Sequence, residues 1–168
     1  MKLHEGLLEQ AQHLVRREPR RPRQVSLRRA ISTAYYALFH LLVSEAILNW
    51  KRAQDRDDLA RMFEHTNMRT ACAHKRDELN AEFKRIQETA PPTHDLTVKR
   101  HLHLVAETFV EMHQWRENAD YDYSTTWVRS DVAALVATVE AAFKAWKSIR
   151  KEDAAQAFLF TLFQKKRR

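Results

Sequence analysis

Apolar residues recur at steps of three and four along most of this chain, which is the spacing of a helix with one buried face. The pattern predicts helices over residues 3–17, 24–52, 55–88, about 95–118 and 152–164, and another with an apolar seam from Val132 to Ile149. Proline pairs at Pro19/Pro22 and Pro91/Pro92 separate the first two helices and the third from the fourth. The second helix has the widest apolar face. We therefore expect it at the centre of an all-α, up-and-down antiparallel bundle of five to six helices.

Local signals refine these helices. In the first helix we expect Leu3, Leu7, Leu14 and Ala11 to share the buried face. Thr66 and Asn67 are predicted to interrupt the third helix, and Thr93 or Asp95 to cap the fourth. The helix that carries the Val132 seam starts either at Ser130 or in the polar run 124–126.

Glycine is almost absent, with one residue among 168. Hairpin-rich β folds, phosphate-binding glycine loops and the Rossmann fingerprint each need several glycines, so these classes are excluded. No repeat or low-complexity linker divides the chain, and we predict a single domain over residues 1–168.

Positive charge is concentrated in two places. Lys and Arg number 29 against 22 Asp and Glu, a net charge of +7. Residues 16–29 contain seven arginines opposed only by Glu18, and residues 165–168 are all basic. A solvated turn explains the first stretch as well as a phosphate-contacting surface does. The candidate nucleic-acid-binding residues are Arg16, Arg17, Arg20, Arg21 and Arg23.

A cytoplasmic location without a membrane span is the simplest expectation. Cys72 is the single cysteine, so neither an internal disulfide nor a cysteine-based zinc site can form. The first ten residues lack an apolar signal core. The apolar stretch 30–50 contains His40, Glu45 and Asn49, which favours a buried core helix over a membrane span. No HExxH or similar metal spacing occurs, and we expect no metal and no cofactor.

Three polar groupings are candidates for chemistry, and each also has a purely structural interpretation. The first lies along one stripe of the second helix, with Arg29, Tyr36 and His40 beside Ser32 or Thr33. The second stands at the end of the fourth helix and consists of Arg116, Asp120 and Tyr121. Arg116 and Asp120 are four residues apart and can form a clamp. We treat these two groupings as one candidate polar cluster.

The third grouping is the candidate catalytic pair, Arg69 and His74. An imidazole can take the proton of an RNA 2′-hydroxyl while an arginine stabilises the phosphorane charge, without a metal. Five residues on a regular helix separate the two side chains by about 140°. The pair therefore needs a distorted helix or a dimer interface to act together.

Two motifs in sequence order carry a family resemblance. Residues 28–46 (RRAISTAYYALFHLLVSEA) and residues 116–122 (RENADYD), followed by Trp127 and the helix from Arg129, are similar to segments of prokaryotic HEPN-domain proteins. The resemblance covers about residues 24–150. It implies an up-and-down helical bundle that forms a homodimer and acts in RNA binding or cleavage, in toxin–antitoxin pairs or in phage defence.

The resemblance also orders the functional hypotheses. Nuclease members carry an arginine followed five to seven residues later by histidine, whereas five residues after Arg116 stands Tyr121. We therefore favour a HEPN-like module that binds RNA or an antitoxin-like or other protein partner. The first alternative is a metal-independent ribonuclease that uses Arg69 and His74. The second is a purely structural oligomerisation subunit, which the apolar segment FLFTLF (residues 158–163) suggests.

Overall fold

A computed structural model of the protein describes residues 2–86, 91 and 93–163, and these residues form helices and no strand. Pro92, the end of the predicted third helix at residues 87–88 and the basic residues 165–168 lie outside the described residues. The all-α prediction is confirmed. The helices are α1 (Leu3–Arg16), α2 (Gln24–Leu48), α3 (Arg56–Ala60), α4 (His65–Phe83), α5 (His94–Tyr121), α6 (Arg129–Ile149) and α7 (Asp153–Phe163), with a 3-10 turn at Ala53–Asp55.

Helix α2 lies at the centre of the molecule and contacts α1, α5 and α6. Its side chains Ile31, Tyr35 and Leu38 are completely buried. Each apolar side chain buried in this way stabilises the fold by about 1.5–3 kcal/mol. The helix is long and apolar enough to cross a membrane by those criteria alone, but most of its apolar window is buried inside the bundle, as in any core helix.

The predicted third helix is not continuous. Its segment is divided into α3 and α4, so the described residues hold seven α-helices rather than five to six. The chain leaves the helical conformation at Glu64 (φ −111°, ψ 134°), next to Phe63, which inserts into the core. The break thus lies at residues 61–64, before the predicted interruption at Thr66 and Asn67, which fall in the first turn of α4.

The bounds of the other helices differ from the prediction by a few residues. Helix α2 ends at Leu48 instead of residue 52, and α5 continues to Tyr121. Thr93 caps α5 as expected, since its hydroxyl accepts a hydrogen bond from the Leu96 amide at 3.1 Å. Helix α6 begins at Arg129, so Ser130 lies inside its first turn and residues 124–126 belong to the preceding loop.

The buried face of α1 agrees with the prediction only at Ala11. His4, Leu8, Ala11 and Val15 are buried, whereas Leu3 is 63% exposed and Leu7 and Leu14 only border the core. Two adjacent stripes of this short helix both contain leucines, so the spacing of apolar residues does not show which stripe is buried.

Glu45 and Cys72 are among the polar and sulfur-containing side chains that are buried. Arg150, which follows α6, donates to the buried Glu45 carboxylate of α2 at 2.8 Å. Cys72 is buried among apolar side chains, and that burial raises the pKa of its thiol. Cys72 is therefore a small core residue, as the sequence predicts.

Candidate functional site

The loop between α5 and α6 is held by one arginine of α2. The Arg28 guanidinium donates to the carbonyl oxygens of Ala119 (2.8 Å), Asp122 (2.9 Å) and Thr125 (2.7 Å). Carbonyls at a helix C-terminus have no partner within the helix, and a cation interacts favourably with that end of the helix dipole. Arg28 thus supports the end of α5 and the start of the loop together, and its charge points inward.

Two aspartates of the RENADYD motif also have structural partners. The Ser32 hydroxyl of α2 donates to Asp120 at 2.5 Å. Asp122 accepts from the Ser124 amide and from the hydroxyls of Ser124 and Thr125, which lowers the pKa of Asp122 to about 2. Since this pKa lies below its ordinary value, the loop contacts stabilise the fold at neutral pH and are lost as the pH falls toward 2.

A second segment, the basic segment (residues 16–23), is tied to the same loop. Arg129, at the start of α6, donates to the carbonyl oxygens of Glu18 and of Pro19, the latter at 2.8 Å. The Gln24 side chain pairs with both backbone groups of Trp127 at 2.8 and 2.9 Å. The backbone of the basic segment is therefore fixed against the α5–α6 loop.

The candidate nucleic-acid-binding arginines all lie on the surface of this basic segment. Arg16, Arg17, Arg20, Arg21 and Arg23 are exposed. The Glu18 carboxylate accepts from Arg23 at 3.2 Å and from the Ser26 hydroxyl at 2.9 Å. Because Glu18 is already engaged, it neutralises only part of this surface.

The structure also reveals a cluster of aromatic and imidazole rings, the imidazole cluster (Tyr35, His65, His113 and Arg116). The Tyr35 hydroxyl lies 2.7 Å from Nδ1 of His65. The His113 ring contacts Tyr35 edge-on at 5.6 Å, and the Arg116 guanidinium lies 5.2 Å from the centre of the Tyr35 ring. Helices α2, α4 and α5 meet at this cluster.

Burial sets the protonation of the imidazole cluster. It lowers the pKa of His65 and, with the positive charge of Arg116 acting in the same direction, keeps that ring neutral. Burial also lowers the pKa of His113, although the Glu117 carboxylate opposes the shift. Nδ1 of His113 and Nε of Arg116 are buried without a hydrogen-bond partner among the residues that the structure describes. The cluster thus holds neutral imidazoles beside a buried cation.

The predicted polar cluster is brought together only in part. Tyr36 contacts the His65 ring edge-on at 5.7 Å, and His40 contacts Phe39, whose ring stacks on His65 at 4.1 Å. Arg116 belongs to the imidazole cluster, whereas Asp120 pairs with Ser32. Arg29 and Tyr121 are exposed on the surface.

The candidate catalytic pair occupies one regular helix. Arg69 and His74 are both exposed on α4, five residues apart and so on different faces. The charge of Arg69 also lowers the pKa of His113, as the smallest influence after burial, Glu117 and Arg116. Within the described part of the chain, no group of three or more His, Cys, Asp or Glu side chains is arranged to hold a metal ion.

Sequence reasoning missed Tyr35, His65 and His113 as members of one cluster. A signal for His113 was present, because Phe109, His113, Arg116 and Asp120 follow at steps of three and four and so share a stripe of α5. Nothing in the local pattern indicates that His65, the first residue of α4, reaches that stripe.

Replacing Arg28 tests its role in holding the loop. We expect Arg28→Ala to lower the free energy of unfolding by about 2–4 kcal/mol, because three half-buried carbonyls lose a charged donor. Arg28→Lys should restore only part of this loss, since one ammonium group cannot reproduce the planar fork. Urea unfolding followed by circular dichroism measures the change.

The matched control is Arg29→Ala, which removes the same side chain at the neighbouring exposed position. It should change stability by less than about 0.5 kcal/mol. Equal effects of the two alanine variants would show that the loop does not depend on Arg28.

Comparison with known proteins identifies no relative of this chain: no family model, no curated protein and no solved structure matches it.

Proposed function

We propose that this protein is a helical RNA-binding protein of the HEPN type and that its basic segment contacts the RNA phosphates. One observation carries the proposal: five exposed arginines project from a backbone that Arg129 and Gln24 hold in place. Because this backbone is already ordered, its arginines can bind phosphates without the entropy cost of ordering the backbone.

The internal contacts of the molecule favour a specific basic site over a surface that is basic everywhere. Arg28 and Arg129 belong to the same stretch of the fold but point inward to carbonyl oxygens. The fold therefore uses two of its local arginines for structure and leaves the basic segment directed outward. The HEPN resemblance implies a homodimer that acts in a toxin–antitoxin pair or in phage defence, or that binds an antitoxin-like protein. The single cysteine favours a cytoplasmic location.

Charge reversal tests the proposal. The double variant Arg20→Glu, Arg21→Glu should weaken binding of a labelled RNA by at least about 10-fold in 0.1 M salt. It should also reduce the slope of log affinity against log salt by about 1–2, because two phosphate contacts are lost. Fluorescence anisotropy titrations at several salt concentrations measure both quantities.

The matched control is Lys147→Glu, Lys151→Glu, which changes the net charge equally at a distant place. Lys147 lines a cavity with Glu5 near the start of α1, whereas the basic segment follows the end of that helix, about 20 Å away. RNA binding that both variants weaken equally would mean that net charge alone is responsible and would refute a specific site.

A metal-independent ribonuclease is a second candidate, favoured by two imidazoles beside Arg116 whose pKa values burial lowers. A neutral histidine can accept the proton of a 2′-hydroxyl while the 2′-oxygen attacks phosphorus; the bond from phosphorus to the 5′-oxygen breaks, and the 5′-oxygen takes a proton from water. Arg69, whose charge acts on His113, can stabilise the charge on the phosphorane. Arg69 is common to this arrangement and to the pair with His74.

Incubation with unstructured RNA in EDTA tests this candidate. Cleavage by the purified protein should fall by at least about 100-fold in Arg69→Ala. His65→Ala and His74→Ala distinguish the imidazole cluster from the pair on α4. Only replacement of the histidine that acts as the base should reduce cleavage as much as Arg69→Ala does. Arg100→Ala, at an exposed position of α5, is the control. Intact RNA with the wild-type protein, or cleavage that all variants retain, rules the candidate out.

Oligomerisation is a third candidate, and an apolar groove favours it. Trp50, Leu59, Phe63, Phe160 and Phe163 line a groove of about 250 Å³ between the end of α2, α3 and α7. In the predicted apolar segment, Phe158, Leu159 and Leu162 fill the core of their own chain, while Phe160 remains 66% exposed. Exposed apolar surface of this kind is typical of a protein interface.

Sedimentation velocity tests this role. If the groove is a dimer interface, the wild-type protein should sediment as a dimer and Phe160→Ser should shift it to the monomer. Met62→Ser is the control, since Met62 is exposed but does not line the groove. A wild-type monomer at micromolar concentration would eliminate the candidate.

A further inference from the structure

Two exposed tyrosines lie where α5 ends: Tyr121 is the last residue of the helix, and Tyr123 is in the loop that follows it. We propose that the tyrosine loop (residues 121–126) is a stacking platform for the unpaired bases of a single-stranded nucleic acid. The phosphates of that strand then lie on the basic segment, so this inference rests on the proposed RNA-binding function and specifies its ligand. The geometry that carries it is the exposure of the rings, the order of their backbone and their position next to the arginines.

The two rings are accessible to a ligand. Tyr121 is 71% exposed and Tyr123 is 91% exposed, the highest exposure among the large hydrophobic side chains that the structure describes. The ring of a tyrosine is a large apolar surface with a flat π-face, on which any of the four bases can stack. In this molecule neither ring is used to build the core.

The backbone beneath the rings is ordered by three separate contacts. Arg28 holds the carbonyl of Asp122, the residue between the two tyrosines, at 2.9 Å. Asp122 in turn accepts from the Ser124 amide at 2.8 Å and from the Thr125 hydroxyl at 2.6 Å. A rigid backbone presents both rings at fixed positions, which lowers the entropy cost of stacking a base on them.

Hydrogen bonds link the residues that follow the tyrosine loop to the basic segment and to the residue after it. The Gln24 side chain, next to Arg23, pairs with the backbone of Trp127, and Arg129 donates to the Pro19 carbonyl oxygen. Proteins that bind single strands combine a positive surface that follows the phosphates with aromatic rings that stack on successive bases. Both parts of that combination are present here on adjacent segments.

The acidic residues of the motif are held by hydrogen bonds within the fold. The Asp120 carboxylate accepts from Ser32, and the Asp122 carboxylate accepts from Ser124 and Thr125. In a duplex the bases are stacked on each other and closed to the tyrosines, so only the arginines would contact it. The arrangement therefore favours single strands over duplexes.

Anisotropy titrations with matched 20-nucleotide ligands test the proposal on the full chain. The ligands are an unstructured RNA, the same sequence as DNA, its duplex, and a strand in which abasic sites replace most bases. Tyr121→Ala, Tyr123→Ala should weaken binding of the single strand by at least about 10-fold and leave duplex binding within about twofold. The corresponding double phenylalanine variant keeps the π-faces and should bind like the wild type.

Several further results are expected if bases stack on the tyrosine loop. The wild-type protein should bind the abasic strand more weakly than the normal strand. The factor should be about the same as that by which the double alanine variant weakens binding of the normal strand. The salt slope should stay unchanged in the tyrosine variants, because no phosphate contact is removed. The RNA and DNA arms show whether the 2′-hydroxyl is also recognised. Thermal unfolding verifies that the exposed substitutions leave the fold intact.

The outcomes separate this inference from the function on which it rests. If Arg20→Glu, Arg21→Glu weakens binding and the tyrosine variants do not, base stacking on the tyrosine loop is refuted, while RNA binding by the basic segment is supported. If the double alanine variant weakens single-strand and duplex binding equally, the stacking role is also refuted. If the wild-type protein binds none of the ligands, both proposals fail, and the loop is left as a surface for a protein partner.

Discussion

In this bundle, arginine side chains donate hydrogen bonds to the backbone carbonyls near helix ends. In many other proteins a glycine ends the helix instead. Many helices end on a glycine with positive φ, which lets backbone amides satisfy the last carbonyls. Here no described residue has positive φ. Instead Arg28 binds the carbonyls after α5, Arg129 those after α1, and Arg56 the carbonyls of Leu48 and Trp50 after α2. A charged donor with a planar fork can satisfy two or three carbonyls at once.

This use of arginine divides the positive charge of the protein into two kinds. The inward arginines belong to the fold, and their replacement changes stability. The outward arginines of the basic segment rest on a backbone that one of the inward arginines, Arg129, fixes. Structure and the proposed phosphate contacts are thus coupled, because the same hydrogen bonds that end α1 also order the surface beside the tyrosine loop.

The spacing of residues within helices predicts only some members of the imidazole cluster. The stripes of α2 and α5 could be read from spacing, and they bring Tyr36, His40 and Arg116 to the right faces. The packing of α4 then brings His65 to Tyr35, with 2.7 Å between the Tyr35 hydroxyl and Nδ1 of His65. These partners are separated by 30 residues or more, and their meeting depends on how the helices pack, so spacing within a helix cannot predict it.

The sequence by itself determined the helical class, the central position of α2, the Thr93 cap and the absence of glycine-based phosphate loops. Each of these follows from spacing or from backbone conformation over a few residues. The tertiary structure alone decided which arginines point inward, where the third predicted helix breaks and which rings surround Tyr35. Those outcomes depend on the balance between burying Phe63, satisfying carbonyls at helix ends and packing neighbouring helices, and that balance exists only once the bundle is assembled.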